Sequence, residues 1–89
     1  MKFDWDVHNE EHISAHQVEP HEAEETFCDP RRVGAPAYTS AQGEKRQAFT
    51  GKTQDGRLLT VIVTRRGDAI RIVTARDASA SERGKYRRA

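Results

Sequence analysis

Gly56-Arg57-Leu58-Leu59-Thr60-Val61-Ile62-Val63-Thr64-Arg65-Arg66-Gly67-Asp68-Ala69-Ile70-Arg71-Ile72-Val73-Thr74-Ala75-Arg76 decides the architecture. The run from Leu58 to Val63 is nearly continuous in apolar side chains, which reads as a central strand covered on both faces. Arg66-Gly67-Asp68 is a short glycine-bearing connection, and Ile70, Ile72 and Val73 belong to the next strand. Upstream, Gln54-Asp55-Gly56 makes a second short connection to another strand. The spacing predicts an antiparallel meander over Lys45 to Lys52, Arg57 to Arg65 and Ala69 to Arg76.

Before the meander the period changes. Lys2-Phe3-Asp4-Trp5 alternates, as in a short first strand with Phe3 and Trp5 turned inward. Asp6 suits an N-cap, since its carboxylate accepts from the free backbone N–H groups of the next turn, and a helix is expected from about Val7 to His16. A second helix starts at Glu19-Pro20, turns Ala23, Thr26 and Phe27 to the core and stops at Asp29-Pro30. From Arg31 to Gly43 the chain is irregular, with a weak strand around Ala37 to Ala41. Ser79 followed three residues later by Glu82 is a capping box opening a last helix to Arg88. Helices and strands segregated along the chain in the order β-α-α, meander, helix give an α+β fold.

At 89 residues the chain is read as one domain, residues 1–89. A chain of this size buries only about 60% of its unfolded surface, so a partner that adds contacts is plausible. The lone Cys28 excludes an internal disulfide, the N-terminus has no apolar run long enough for a signal peptide and nothing approaches a membrane span, so a cytoplasmic chain with no membrane partner is expected. The formal net charge of +1 conceals a division. Residues 1–44 carry three Lys/Arg against ten Asp/Glu, a balance of −7, and residues 45–89 carry twelve against four, a balance of +8. Such asymmetry points to a polyanion on one face, or to opposite charges laid beside each other in a compact domain.

Local phrases in the same order are similar to the BrnT family of type II toxins, which share the RelE-like fold. They run from Phe3-Asp4-Trp5-Asp6 through His8-Asn9, Glu11-His12-Ile13, His16 and Val18 to Glu22-Ala23-Glu24-Glu25 and Asp29-Pro30. They resume with Glu44-Lys45-Arg46, Gly51-Lys52-Thr53 and Gly56-Arg57-Leu58-Leu59. Thr64-Arg65-Arg66-Gly67, then Ile70 to Arg76, then Ser81-Glu82-Arg83 with Tyr86, complete the set. The resemblance implies an endoribonuclease that needs no metal or other cofactor and inhibits translation by cutting RNA. Its implied partners are RNA, a ribbon-helix-helix antitoxin of the BrnA kind, and the ribosome. Gln17 stands where the family carries glycine, so the first helix is expected to close without a left-handed cap. Ala15 stands where the family has a basic residue.

RNA cleavage without metal requires a base for the 2′-hydroxyl, an acid for the leaving oxygen and cations on the phosphate. Arg46, Arg66 and Arg76 come from neighbouring strands or their ends and can meet on one face, where the guanidinium fork suits phosphate; a solvated edge is the other reading. For proton transfer the sequence offers His16, His12, Glu44 and Tyr86. Against those roles, the histidines can pack and cap, Glu44 can pair with Lys45-Arg46, and Tyr86 can anchor the last helix. Lys45, Lys52, Arg65, Arg83, Lys85, Arg87 and Arg88 are assigned to the RNA backbone. Two other functions compete. A binding module of the same fold could lack the chemistry, which Ala15 and Gln17 favour. His8, His12 and His16, four residues apart on one helical face, could hold a metal.

Overall fold

The computed structural model describes every residue from Met1 to Ala89. In chain order the elements are α1 (Val7–Ser14), α2 (Pro20–Cys28), β1 (Val33–Gly34), β2 (Tyr38–Thr39), β3 (Lys45–Lys52), β4 (Leu58–Arg66), β5 (Ala69–Asp77) and α3 (Ala80–Arg88). The sheet is antiparallel in the order β1-β3-β4-β5, with β2 also paired to β3. The fold is therefore α+β, and the three long strands lie within one residue of their predicted limits. Gly67, at φ 61°, opens the two-residue β4–β5 turn, as hairpins of right-handed twist require.

The predicted first strand shrinks to one parallel bridge, Phe3 to Ile70, in which the Asp4 N–H donates to Ile70 O and the Ile70 N–H to Lys2 O, each at 2.9 Å. Asp6 ends it by turning to cap α1, its carboxylate accepting from the His8 and Asn9 backbone N–H groups. Between Asp29 and Glu44, two two-residue strands take the place of the single predicted one: Val33–Gly34, which had no sequence signal of its own, and Tyr38–Thr39.

Alternation divides the sheet into two faces. Leu59, Val61, Val63, Ile72 and Ala75 point to one side and form the core with Ile13, Val18, Ala23 and Phe27 from the helical layer. There α1 lies along β5 and α2 crosses β3 and β4. Phe27 meets Phe3 and Phe49 edge-on, with centroids 6.0 and 5.4 Å apart. Trp5 packs at the core margin, its indole N–H donating to Glu24 at 2.7 Å. The buried Asn9 amide donates to Asp4 O and Ile72 O, both at 2.9 Å, and so fixes α1 to β5. The close seat of α2 on β3 depends on Gly51, where a Cβ would meet the Thr26 carbonyl oxygen at 2.5 Å. The outer face holds Thr50, Thr60 and Thr64, and α3 docks there through Glu82.

Gln17 corrects a sequence expectation. It adopts the left-handed conformation itself, at φ 56°. Its N–H donates to Ser14 O at 2.9 Å and the Val18 N–H donates to Ile13 O at 3.0 Å, a Schellman closure with both Ile13 and Val18 in the core. The hydrophobic contact and the two hydrogen bonds outweigh the strain of a Cβ in this region, which costs about 1–2 kcal/mol. Gln17→Gly should therefore stabilise the fold by about 0.5–1 kcal/mol, the relief of strain being partly offset by greater freedom of the unfolded chain. Urea unfolding of the two proteins measures this; a lower midpoint for the glycine variant would show that strain is not what Gln17 contributes.

Candidate active site

Glu44 is set at the base of the β2–β3 hairpin by a small turn. Its N–H donates to Ser40 Oγ at 3.1 Å, and its carbonyl accepts from the Ser40 N–H at 2.8 Å. Two guanidinium groups hold its carboxylate: Arg46 Nε donates to Oε1 at 2.9 Å and Arg66 Nη2 to Oε2 at 3.1 Å. Arg46 lies next to Gln47, which faces Val63 on the core side, so Arg46 points to the outer face with Thr64 and Arg66. The hydrogen bond from Arg46, then that from Arg66, keeps the Glu44 carboxyl below its ordinary range despite some desolvation. Glu44 is thus an ionised clasp holding two arginines together on the outer face.

The histidines of the N-terminal half meet this clasp. A cleft of about 200 Å³ is lined by His8, Asn9, His12, Glu44, Arg46, Arg66, Arg71 and Val73. A second, of about 370 Å³, adjoins it and is lined by Glu11, His12, Ala15, His16, Arg46, Val73 and Thr74. His12, Arg46 and Val73 belong to both. The register shift between Ile62 and Val63 leaves Val73 as the extra residue of β5, a bulge of the kind that re-aims side chains beside functional sites. His8 and His12 lie within α1, whereas His16 sits beyond its end in the turn, which breaks the predicted helical row. No three His, Cys, Asp or Glu side chains stand together as metal ligands.

Arg71 was not singled out from the sequence, although Ile70 and Ile72 facing inward already imply that it faces outward. It bridges Asp4 at 3.5 Å and Asp6 at 3.1 Å. Arg71 is the main reason that the Asp6 carboxyl, also bonded by the Asn9 and His8 N–H groups, lies at about 2.

The other expected site residues fall elsewhere. Arg76 shares the outer face but sits opposite Thr60, four residues along β4 from Thr64, or about 13 Å at the rise of a strand. Both ends of its guanidinium bind Glu82, at 2.8 and 3.0 Å. Tyr86 is the buried residue of α3, and its hydroxyl donates to Asp29 Oδ2 at 2.6 Å. That carboxylate raises the tyrosine pKa, and burial raises it further. Burial opposes the charge of Asp29, but the Tyr86 hydroxyl and the N–H groups of Arg31 and Lys52 hold its carboxyl below 3.8. Lys52 lies at the far end of β3 from Arg46, six residues or about 20 Å away. Lys45 and Arg65 face the helical side. Arg83, Lys85, Arg87 and Arg88 lie on α3, with none of their side chains in an ion pair.

Against known families, residues 5–82 match the one described as the ribonuclease toxin, BrnT, of type II toxin-antitoxin systems. The chain belongs to the BrnT family. Membership brings ribonuclease activity as the family's description, with an RNA substrate and an antitoxin partner. A search of curated proteins finds no match. The Glu44 clasp, its histidines and Arg76 all lie within the stretch shared with BrnT toxins, whereas Tyr86 and all four basic residues of α3 lie beyond it. No helix is long and apolar enough to cross a membrane.

Proposed function

We propose that this chain is a metal-independent endoribonuclease of the cytoplasm that inhibits translation by cutting RNA at the cleft between α1 and the outer face of the sheet. The observation that carries this reading is the pair of guanidinium groups, Arg46 and Arg66, gathered on one carboxylate beside His12 and His16. A pair that chelates a carboxylate also fits the non-bridging oxygens of a phosphate. Arg46 and Arg66 bind those oxygens and stabilise the charge that grows as the 2′-oxygen bonds to phosphorus. His16 and His12 share the two proton transfers: one imidazole takes the 2′-hydroxyl proton, the other protonates the departing 5′-oxygen. The P–O5′ bond breaks, leaving a 2′,3′-cyclic phosphate and a free 5′-hydroxyl. Arg76, farther along the same face, and the cations of α3 with Lys52 take phosphates of the flanking strand. The antitoxin is a ribbon-helix-helix protein that covers the cleft, and translating ribosomes are a further setting in which RNA is presented.

Expression of the chain alone from a tightly controlled promoter should arrest growth and fragment cellular RNA. The purified protein should cut RNA in excess EDTA and leave cyclic phosphate ends. Well-expressed, soluble and harmless protein with intact RNA would remove the ribonuclease reading and leave a binding module of the same fold. Cleavage abolished by EDTA would remove metal independence alone.

A further inference from the structure

On the helical side of the sheet, α1 and α2 leave the end near the β4–β5 turn uncovered. Phe27, Phe49, Val63 and Ile70 floor an open groove of about 560 Å³ there. Its rim is cationic: Arg32, Lys45 and Arg65 line it, and none of the three has a carboxylate within ion-pair distance. The Arg32 guanidinium lies over the rings of Phe27 and Phe49, 5.1 and 5.4 Å from their centroids. Its single hydrogen bond is a long one, 3.4 Å, to the Asp29 carbonyl. Gln47, also lining the groove, donates its amide N–H to Ala35 O, which leaves the amide oxygen as a free acceptor. Aromatic surface under cations without partners is how proteins hold single-stranded nucleic acid, the rings stacking on bases and the cations meeting phosphates.

The groove and the cleft meet at one corner of the sheet. Glu44 and Arg46 line both. Lys45 beside Arg46, and Arg65 beside Arg66, turn to opposite faces because neighbours on a strand alternate. A strand of RNA rounding this corner places one phosphate on Arg46 and Arg66 and a neighbouring nucleotide in the groove. We propose that the groove is a base-binding subsite for single-stranded RNA beside the scissile phosphate. The base takes the place of the Arg32 guanidinium over Phe49, Gln47 accepts from an exocyclic amine, and Arg32, swung outward, joins Lys45 and Arg65 on the adjoining phosphates. This subsite rests on the ribonuclease reading of the neighbouring cleft.

The test compares the full-length protein with its Arg32→Gln and Phe49→Leu variants. Binding is read by anisotropy on short 2′-O-methyl RNA of mixed sequence, which lacks the nucleophile, and turnover on the matching unmodified RNA. Both variants should bind roughly tenfold more weakly and show a KM raised to match, with kcat within about twofold of the parent. Removing the base next to the cut should weaken binding by the parent as much, yet cost Phe49→Leu little more, since both changes delete the same contact. Arg32 is exposed, so its variant reads the subsite even if Phe49→Leu folds poorly. Unchanged binding and KM with cleavage intact overturn the subsite and leave the ribonuclease. Variants that keep RNA affinity but lose the antitoxin make the groove a protein dock instead and overturn the subsite too. A parent that neither binds nor cuts RNA removes both readings.

Discussion

Arg66→Ala and Arg46→Ala should each lower kcat for RNA cleavage by about 10²–10³-fold, the usual effect of removing one preorganised donor to a developing oxyanion. The fold should survive both changes. The side chains of Arg46 and Arg66 are 28% and 52% exposed, and ion pairs so placed contribute about 0–1 kcal/mol. Circular dichroism and the thermal midpoint should therefore stay near those of the parent while turnover collapses. Arg66→Lys should restore only part of the rate, because an ammonium keeps the charge but not the planar fork. Glu44→Gln tests the clasp from the other side. It keeps the shape of the side chain and loosens both arginines, so a fall of about tenfold or more is expected from their misplacement. The Glu44 pKa is depressed in the folded state, so its ion pairs are complete above the ordinary 4.5 and weaken only as the pH falls below it. Glu44 then adds no step to the pH profile near neutrality. His12→Ala and His16→Ala should each cost about 10²–10⁴-fold of rate, as the loss of a proton-transfer group does. Full activity in both arginine variants would move the site away from this cleft.

The meander was legible because each strand advertises itself within a few residues. Leu58 to Val63 is apolar, Ile70 and Ile72 alternate with Arg71, and Gly67 marks the turn. Two-residue strands have no such signature, so Val33–Gly34 went unread. The alternation at Lys2 to Trp5 fits a strand and a single bridge equally, and what decides is Asp6 leaving to cap α1. Gln17 shows a local rule overridden by packing: the bond from Val18 to Ile13 and their burial impose a left-handed residue where glycine is absent.

The candidate site was legible in residue type more than in grouping. Alternation puts Arg46, Arg66 and Arg76 on one face, but pairing register, which no single strand encodes, sets Arg76 against Thr60 and away from Glu44. The bulge that brings Val73 to the cleft also has no residue signal. Arg32 lies in a loop whose path follows from the β1 pairing, so its place over Phe27 and Phe49 emerges only in three dimensions.

Glu82→Ala should be the most damaging of these changes to stability, at about 2–3 kcal/mol, because one carboxylate gathers so many donors. It accepts from both ends of Arg76, from the Thr60 hydroxyl at 2.9 Å and from the Ser79 N–H at 2.8 Å. Thr60 is 1% exposed and shares a 2.8 Å hydrogen bond with Thr50, so the network ties α3 to the centre of the sheet. For a domain of this length such a loss lowers Tm by roughly 10–20 °C. Glu82→Gln, which keeps one acceptor oxygen, should lose less. The same carboxylate makes the fold acid-sensitive. Arg76, chiefly, holds the Glu82 pKa down from 4.5 to about 2 against the effect of burial, with Ser79 and Thr60 assisting. A depressed folded pKa means that the unfolded chain binds the proton more readily, so this contribution is complete above 4.5 and lost as the pH falls toward 2. Urea midpoints across that window should fall steeply for the parent and less steeply for Glu82→Gln. Parallel curves would place the acid sensitivity in Asp6, whose carboxyl is bound by Arg71 and also lies at about 2. Because Arg46 and Arg66 stand about 13–20 Å along the strands from Arg76, folded Glu82→Gln should cut RNA at close to the parent rate. A collapse of kcat with the midpoint unmoved would instead make Arg76, freed from its partner, part of the chemistry.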